Sequence, residues 1–311
     1  GYFSHTELLG GAMTIDGDLA VAAINRNIAR PLGVDVLEAA FAVYTLVNEN
    51  MANAVRQIST EQGHDLRDFA FVCGGGCSAA HAAKIAESLD VDRIIVPRVA
   101  SLLCSFGAAI ADVRHDYSRN HAARFSHCDP ATINGHFEDM MTAARADLAE
   151  EGFAPGQMRL QRTMDVRYLG ELGVLTLSLQ DDENFTDGMT ATETLFDREH
   201  ERAFTFADPD CERELMGLGV VAFGQREREL SDITMPITGD LDPDAAIRQR
   251  RSASFAPGQL VDLVVYDGAK IAFESEIEGP AVIEEETTTI LVPPGWCIRL
   301  DRSHAWYMWR S

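Results

Sequence analysis

Three consecutive glycines, Gly74-Gly75-Gly76, follow the apolar run Phe69-Ala70-Phe71-Val72-Cys73 and precede the small residues Cys77-Ser78-Ala79-Ala80. Glycines at a strand-to-helix junction let the backbone turn sharply and let a ligand reach the main chain without meeting a Cβ. The N–H groups that open the next helix favour an anion or a ligand dipole. This chemistry is main-chain recognition of a small molecule, a nucleotide first among them. The same triplet also serves a tight structural turn. Cys73, Cys77 and His81 have a spacing that zinc can use, but a fourth ligand is missing and Cys73 ends an apolar run. Asn48, Glu49 and Asn50 interrupt an apolar helical face, where they would meet a base, a neighbouring lobe or solvent. His81 sits one turn into the post-glycine helix, as a ligand contact or as a satisfied helix-face histidine. No Ser-His-Asp or Cys-His pairing has motif support, so no catalytic residue and no metal site is assigned.

The elements that position the glycines alternate in type. A short helix is expected over Asp18 to Ile28, stopped by Pro31-Leu32-Gly33, and a long one over Val36 to Gln62. In the long helix Val36, Ala40, Val43, Val47, Met51, Ala54, Val55 and Ile58 recur at three- and four-residue spacing. Phe69 to Cys73 is expected as a strand, Ala79 to Leu89 as a helix, Arg93 to Val96 as a strand and Ser101 to Asp112 as a small-residue helix. This alternation predicts an α/β layer with a mostly parallel sheet. From about Asn120 the character changes. Helices are expected over Pro130 to Glu151 and Thr190 to Phe204, with strands over Leu160 to Tyr168, Leu172 to Leu179 and Leu215 to Glu227, the last weakened by Gly217, Gly219 and Gly224. Ser231 to Arg251 reads as a linker. Short strands then follow at Leu260 to Tyr266, Lys270 to Glu274, Ala281 to Glu284, Thr287 to Val292 and Cys297 to Leu300, predicting a small barrel or sandwich. Glu284-Glu285-Glu286 reads as a solvated hairpin.

A chain of 311 residues is long enough for two or three domains. Its net charge of −23 argues against a nucleic-acid partner, which needs clustered Lys and Arg, and against an anionic membrane surface. The six cysteines form no C-x-x-C pair and mostly lie in apolar runs, which predicts reduced thiols and a cytoplasmic setting.

Three ordered stretches resemble one family and cover nearly the whole chain. The first runs from Asn48-Glu49-Asn50-Met51 through Gly63-His64-Asp65-Leu66-Arg67-Asp68-Phe69 and the glycines to Ser105-Phe106-Gly107-Ala108-Ala109 and Asp116-Tyr117-Ser118-Arg119. The second is Asp165-Val166-Arg167-Tyr168-Leu169-Gly170, and the third Ile277-Glu278-Gly279-Pro280-Ala281-Val282 with Pro293-Pro294-Gly295-Trp296. The chain resembles the A-type subunit of the hydantoinase, 5-oxoprolinase and acetone or acetophenone carboxylase group. The resemblance implies an α/β fold, the second lobe of an actin- and sugar-kinase-like ATPase, over residues 1–120. An α+β domain at 121–235 and a small β-rich domain at 236–311 would follow. It implies ATP and Mg²⁺ as cofactors, with Gly74, Gly75, Gly76, Cys77, Ser78 and Asn50 on the nucleotide. The small-residue helix around Gly107 would be the hinge. The phosphate loops and their metal-binding Asp residues would belong to a partner chain, or to sequence before Gly1. A B-type subunit would complete hydrolysis of a cyclic amide or carboxylation of a ketone. A catalytically silent scaffold is the alternative.

Two departures from the family pattern stand out. The usual Phe-Gly-Gly-Ala-Gly-Pro is replaced by Gly74-Gly75-Gly76-Cys77-Ser78-Ala79. After Glu199-His200-Glu201 the usual Tyr-Gly is replaced by Ala203-Phe204, in a segment expected to face the B-type subunit.

Overall fold

The computed structural model describes residues 1–179, 189–226, 239 and 241–311. In chain order its α-helices of eight residues or more are α1 (Gly17–Ile24), α2 (Val36–Glu61), α3 (Ala82–Leu89), α4 (Leu103–Ile110), α5 (Pro130–Glu150) and α6 (Thr190–Phe204). After a two-stranded ribbon of Glu7–Leu8 and Met13–Thr14, the strands are β1 (Phe71–Val72), β2 (Arg93–Pro97), β3 (Val113–Arg124), β4 (Met158–Tyr168), β5 (Leu175–Ser178) and β6 (Arg213–Gly224). The C-terminal strands are β7 (Ile247–Ala256), β8 (Gln259–Asp267), β9 (Glu276–Glu278), β10 (Ala281–Glu284), β11 (Thr289–Val292), β12 (Trp296–Leu300) and β13 (Ala305–Arg310). Among the described residues no single helix is long and apolar enough to cross a membrane.

The chain divides into two compact units, made of the described parts of Gly1–Ala108 with Ile233–Ser311, and of Ala109–Asp232. The sequence had suggested three consecutive domains, at 1–120, 121–235 and 236–311. The C-terminal strands do not stand apart, because β13 pairs with β2, Trp306 opposite Val96, in a sheet ordered β9-β12-β13-β2-β1. The glycines therefore leave a sheet that is completed by the end of the chain. Only β1 and β2 are parallel in it, which corrects the mostly parallel expectation. A short turn joins β12 and β13 as an antiparallel hairpin, and β13 also lies antiparallel to β2, with no crossover helix linking it to that strand. A second sheet in this unit has the order β11-β10-β8-β7. The core joins α3 to both sheets: Ala82, Ala83 and Ala86 pack with Ile94, Val96, Ile290, Val292, Trp296 and Trp306. Small residues on α3 let the helix lie close to the two indoles.

Helix α2 starts because the Asp35 carboxylate accepts the Glu38 N–H at 2.9 Å, satisfying a free end of the helix. It ends at Gly63, which takes φ +66°. The expected strand at Lys270 to Glu274 is instead a 3-10 turn over Gly268–Lys270 followed by irregular chain. Of the expected linker, 231–238 and 240 lie outside the described residues, while Ile247 onward forms β7.

The other unit is an antiparallel sheet, β3-β6-β4-β5, with α5 and α6 packed on it through Phe137, Met164, Leu177, Phe196 and Leu215. Strand β6 is central despite its glycines. A Cβ on Gly219 would stand 2.6 Å from Thr163 Oγ1, and one on Gly224 2.6 Å from the Phe153 ring. These glycines make room for close neighbours and do not break the strand.

Candidate functional site

The glycine bend begins where Cys73, the last residue held by the sheet, donates its N–H to Ile95 O at 2.9 Å. Gly74 is exposed; Gly75 and Gly76 are half-buried. Gly75 takes φ +114°, open to glycine and strained for other residues, and its N–H donates to Ala100 O at 2.6 Å. A Cβ on Gly76 would lie 2.9 Å from the Thr287 carbonyl oxygen. Two of the three glycines are thus required by the chain's own geometry. Ser78, standing where the family has glycine, turns its hydroxyl inward and donates to Gly75 O at 2.8 Å. Cys77 is exposed and Ala79 fully buried. Among the described residues, the N–H groups of Gly74, Gly76 and Cys77 have no hydrogen-bond acceptor. Three free main-chain donors within four residues fit a ligand bound through its oxygens or ring nitrogens.

Behind the bend, a network locks α3 to α2. Tyr44 OH donates to Ala80 O at 3.0 Å, and the Tyr44 ring stacks on His81 with centroids 5.3 Å apart. His81 Nδ1 lies 3.1 Å from Asn48 Oδ1, and Asn48 Nδ2 donates to Tyr44 O at 2.7 Å. An amide oxygen only accepts, so His81 carries its proton on Nδ1. Burial pushes the His81 pKa below its ordinary value, which keeps the ring neutral. Asn48 is fully buried, whereas Asn50 is exposed. Two residues along a helix are roughly 200° apart, so Asn50 points away from the α3 side that Asn48 faces. Cys73 and His81 are not brought together as a metal set with Cys77: the Cys73 thiol is buried and pushed up to about 12 by burial, and His81 turns to Asn48. Among the described residues no group of three or more His, Cys, Asp or Glu could hold a metal ion.

The loop that abuts Gly76 is anchored by ion pairs. Glu285 accepts from Arg98 Nε at 3.1 Å and Nη2 at 2.9 Å, and from Trp306 Nε1 at 2.9 Å. Its side chain is 8% exposed. Glu284 accepts from Arg251 at 3.0 Å and Arg248 at 3.3 Å. The solvated hairpin expected at Glu284-Glu285-Glu286 is therefore corrected: only Glu286 is exposed, because basic residues distant in sequence close on the other two. The Thr287 and Ser101 hydroxyls share a hydrogen bond, and Thr289 N lies 3.5 Å from Gly76 O. Sequence reasoning missed Arg98, Ser101, Glu285 and Thr287 as supports of the bend. Their contacts span nearly two hundred positions, and no local pattern announces them.

Also missed was a cavity of about 210 Å³ whose lining includes Tyr2, Tyr44, Lys84, Glu87 and Phe255, drawn from separate stretches of the chain. In the second unit, His200 is buried between Tyr168, Phe196, Phe204 and Phe206, with Nδ1 2.9 Å from Phe206 O. Phe204 at the altered Ala203-Phe204 pair is one wall of that cage, so the segment expected as a partner-facing surface carries a core histidine. Arg167 pairs internally with Glu214 at 2.9 Å, and Tyr168 OH bonds Asp197 at 2.9 Å.

Residues 1–117 match the family model described as Hydantoinase/oxoprolinase, and residues 121–308 that described as Hydantoinase/oxoprolinase C-terminal domain. The chain is 32% identical over 307 residues to caprolactamase subunit alpha of Pseudomonas jessenii, covering 97% of this chain and 44% of that protein. It is 26% identical over 318 residues to the acetone carboxylase beta subunit of Xanthobacter autotrophicus, covering 97% and 43%. The crystal structure of the ATP-dependent caprolactamase from Pseudomonas jessenii superposes with a TM-score of 0.85 at 32% identity, over all of this chain and 45% of that one. Nucleotide-free acetone carboxylase shares the fold, with a TM-score of 0.70 at 23% identity over all of this chain and 45% of that one. The chain spans less than half the length of these relatives.

Proposed function

The chain belongs to the hydantoinase/oxoprolinase family, and from that premise we propose that it is part of an ATP-dependent enzyme acting on a cyclic amide, with the bend at Gly74–Ser78 on the adenosine side of the nucleotide. The observation that carries this is the likeness, over all of this chain and 45% of that one, to an ATP-dependent caprolactamase, stronger in identity and superposition than the likeness to acetone carboxylase. Ketone carboxylation is the second reading, supported by the carboxylase subunits among the relatives.

The free N–H groups at Gly74, Gly76 and Cys77 suit ATP as a ligand held by main chain. Bound ATP would supply the phosphoryl group that makes an unreactive amide or enolate oxygen a leaving group or electrophile. This chain's share is binding and orientation. The bend offers donors whose direction is fixed by Gly75 and Gly76, and the Arg98–Glu285 pair holds Thr287 against it. The second lobe of an actin-like ATPase is the architecture proposed for the first unit, with the Gly107 helix as hinge. Closure of such a lobe on a second one would exclude water from the phosphates. Mg²⁺ would be held mainly by residues outside this chain, as the family resemblance implies. A chain bearing phosphate loops and a B-type subunit are the proposed partners.

Steady-state ATP hydrolysis by the complete complex tests the proposal. Stimulation by lactams or hydantoins supports the cyclic-amide reading, and stimulation by ketone plus bicarbonate the carboxylase one. Stimulation by neither leaves the scaffold, favoured by the inward-turned Ser78 hydroxyl.

A further inference from the structure

Helix α2 is apolar on two faces, and only one of them is covered. Asn48 and Ala52 are buried, with Met51 and Val55 packed on the core beside α3. On the other side, Val43, Leu46, Val47, Ala54 and Ile58 are all exposed. At 3.6 residues per turn they fall within one stripe running more than four turns. Glu49, Asn53, Arg56 and Thr60 make the remaining, polar face, so the exposed stripe is apolar surface in excess of what one buried face requires. Asn50 stands in the middle of the stripe, exposed and without a hydrogen-bond partner among the described residues. Gln57 and Glu61 close the stripe's C-terminal end and bond each other at 2.9 Å, so Asn50 is the unpaired polar side chain amid the apolar residues, a device for fixing register against a facing element. The same unit leaves more apolar surface open: none of the eight residues of α1 or of α4 is buried, and Val72 on the sheet-edge strand β1 is exposed.

We propose that the stripe Val43–Leu46–Val47–Ala54–Ile58 is the seat of an apolar element, contributed by the part of the relatives' subunit that this chain does not span, with Asn50 setting its register. This rests on the family assignment. That occupant is favoured because more than half of each relative's length lies outside the matched region, while the stripe belongs to a region matched throughout. A second copy of this chain is the competing occupant.

The test uses the complete protein or complex as isolated from its source. Leu46, Leu260 and Leu172 are the same residue type, 64%, 62% and 95% exposed here. Under hydroxyl-radical footprinting, Leu46 should oxidise at least fivefold more slowly than both reference leucines. A Val47→Asp variant should bring its rate back toward theirs by expelling the apolar occupant. A photoactivatable residue at position 46 should crosslink to polypeptide outside this chain's span. Equal oxidation of Leu46 and the reference leucines overturns the docking surface; crosslinks between two copies of position 46 overturn the occupant. Absence of ATP turnover in the same sample sinks the enzymatic proposal and leaves the footprint standing, so the two failures are distinguishable.

Discussion

Replacing each glycine of the bend by alanine separates what the fold needs from what a ligand needs. A Cβ on Gly76 lands 2.9 Å from the Thr287 carbonyl oxygen, about 0.5 Å inside the 3.4 Å at which ordinary contact begins. Thr287 cannot readily give way. Its hydroxyl is bonded to Ser101, Thr289 N approaches Gly76 O, and Glu285 is clamped by Arg98 and Trp306. Overpacking of this kind costs about 1–3 kcal/mol. Reduced freedom of the unfolded chain offsets about 0.4–1 kcal/mol of that. The net loss is about 1–2 kcal/mol, or roughly 2–8 °C in the melting temperature of a unit this size. A Cβ on Gly74 meets Leu103 Cδ2 at 2.8 Å, the far end of a side chain that can swing aside. Gly74→Ala should therefore leave stability within about 0.5 kcal/mol of the parent. It should nonetheless weaken nucleotide binding, because it adds bulk beside an exposed main-chain donor. Scanning calorimetry and nucleotide titration of both variants check the pair. A G76A protein that melts like the parent, or a G74A protein that melts lower than G76A, would refute the packing argument. Unchanged nucleotide affinity in G74A would refute the ligand argument.

Glu285→Gln removes one charge of a buried pair and should cost about 3–5 kcal/mol, on the order of 10 °C in the first unit's melting temperature; a loss below about 1 kcal/mol in chemical denaturation would show that Arg98 finds another partner. His81 gives a pH dependence with a definite sign. Its folded-state pKa is depressed by burial below the ordinary 6.5, so the unfolded chain takes up a proton first as pH falls. Its contribution is fully present above about 6.5 and is lost progressively as pH falls from there toward the folded value. Denaturant midpoints of the parent should drop between pH 7.5 and 5.0 more steeply than those of a His81→Asn variant, and parallel curves would contradict this.

How much was legible depended on whether the signal was local. The glycine triplet, the long helix and the strand on either side of α3 announce themselves by spacing and by glycine or proline stops. Strand β3 did not, since Val113–Arg124 is mostly polar and shows no apolar alternation. On the face towards α5, His115 and Tyr117 bond Glu151 and Asp147, while Val113 and the Tyr117 ring pack with Ala144 and Leu148. Strand β13 went unassigned, and with it the sheet's direction changed, because nothing local says that Trp306 will sit opposite Val96. At the site, the glycines were readable but their reasons were not: Gly76 answers to Thr287, two hundred residues on. Asn50 was grouped with Asn48 by adjacency, and helical phase puts them on opposite sides.

The central claim is that the main chain at 74–78 touches ATP. It is tested most directly by photolabelling the complete complex with an azido-adenine nucleotide and mapping the modified peptide. Labelling within the segment from β1 to the start of α3, abolished by excess ATP and reduced in Gly74→Ala, is the predicted result. Labelling confined to polypeptide outside this chain, in a complex that hydrolyses ATP, would contradict it.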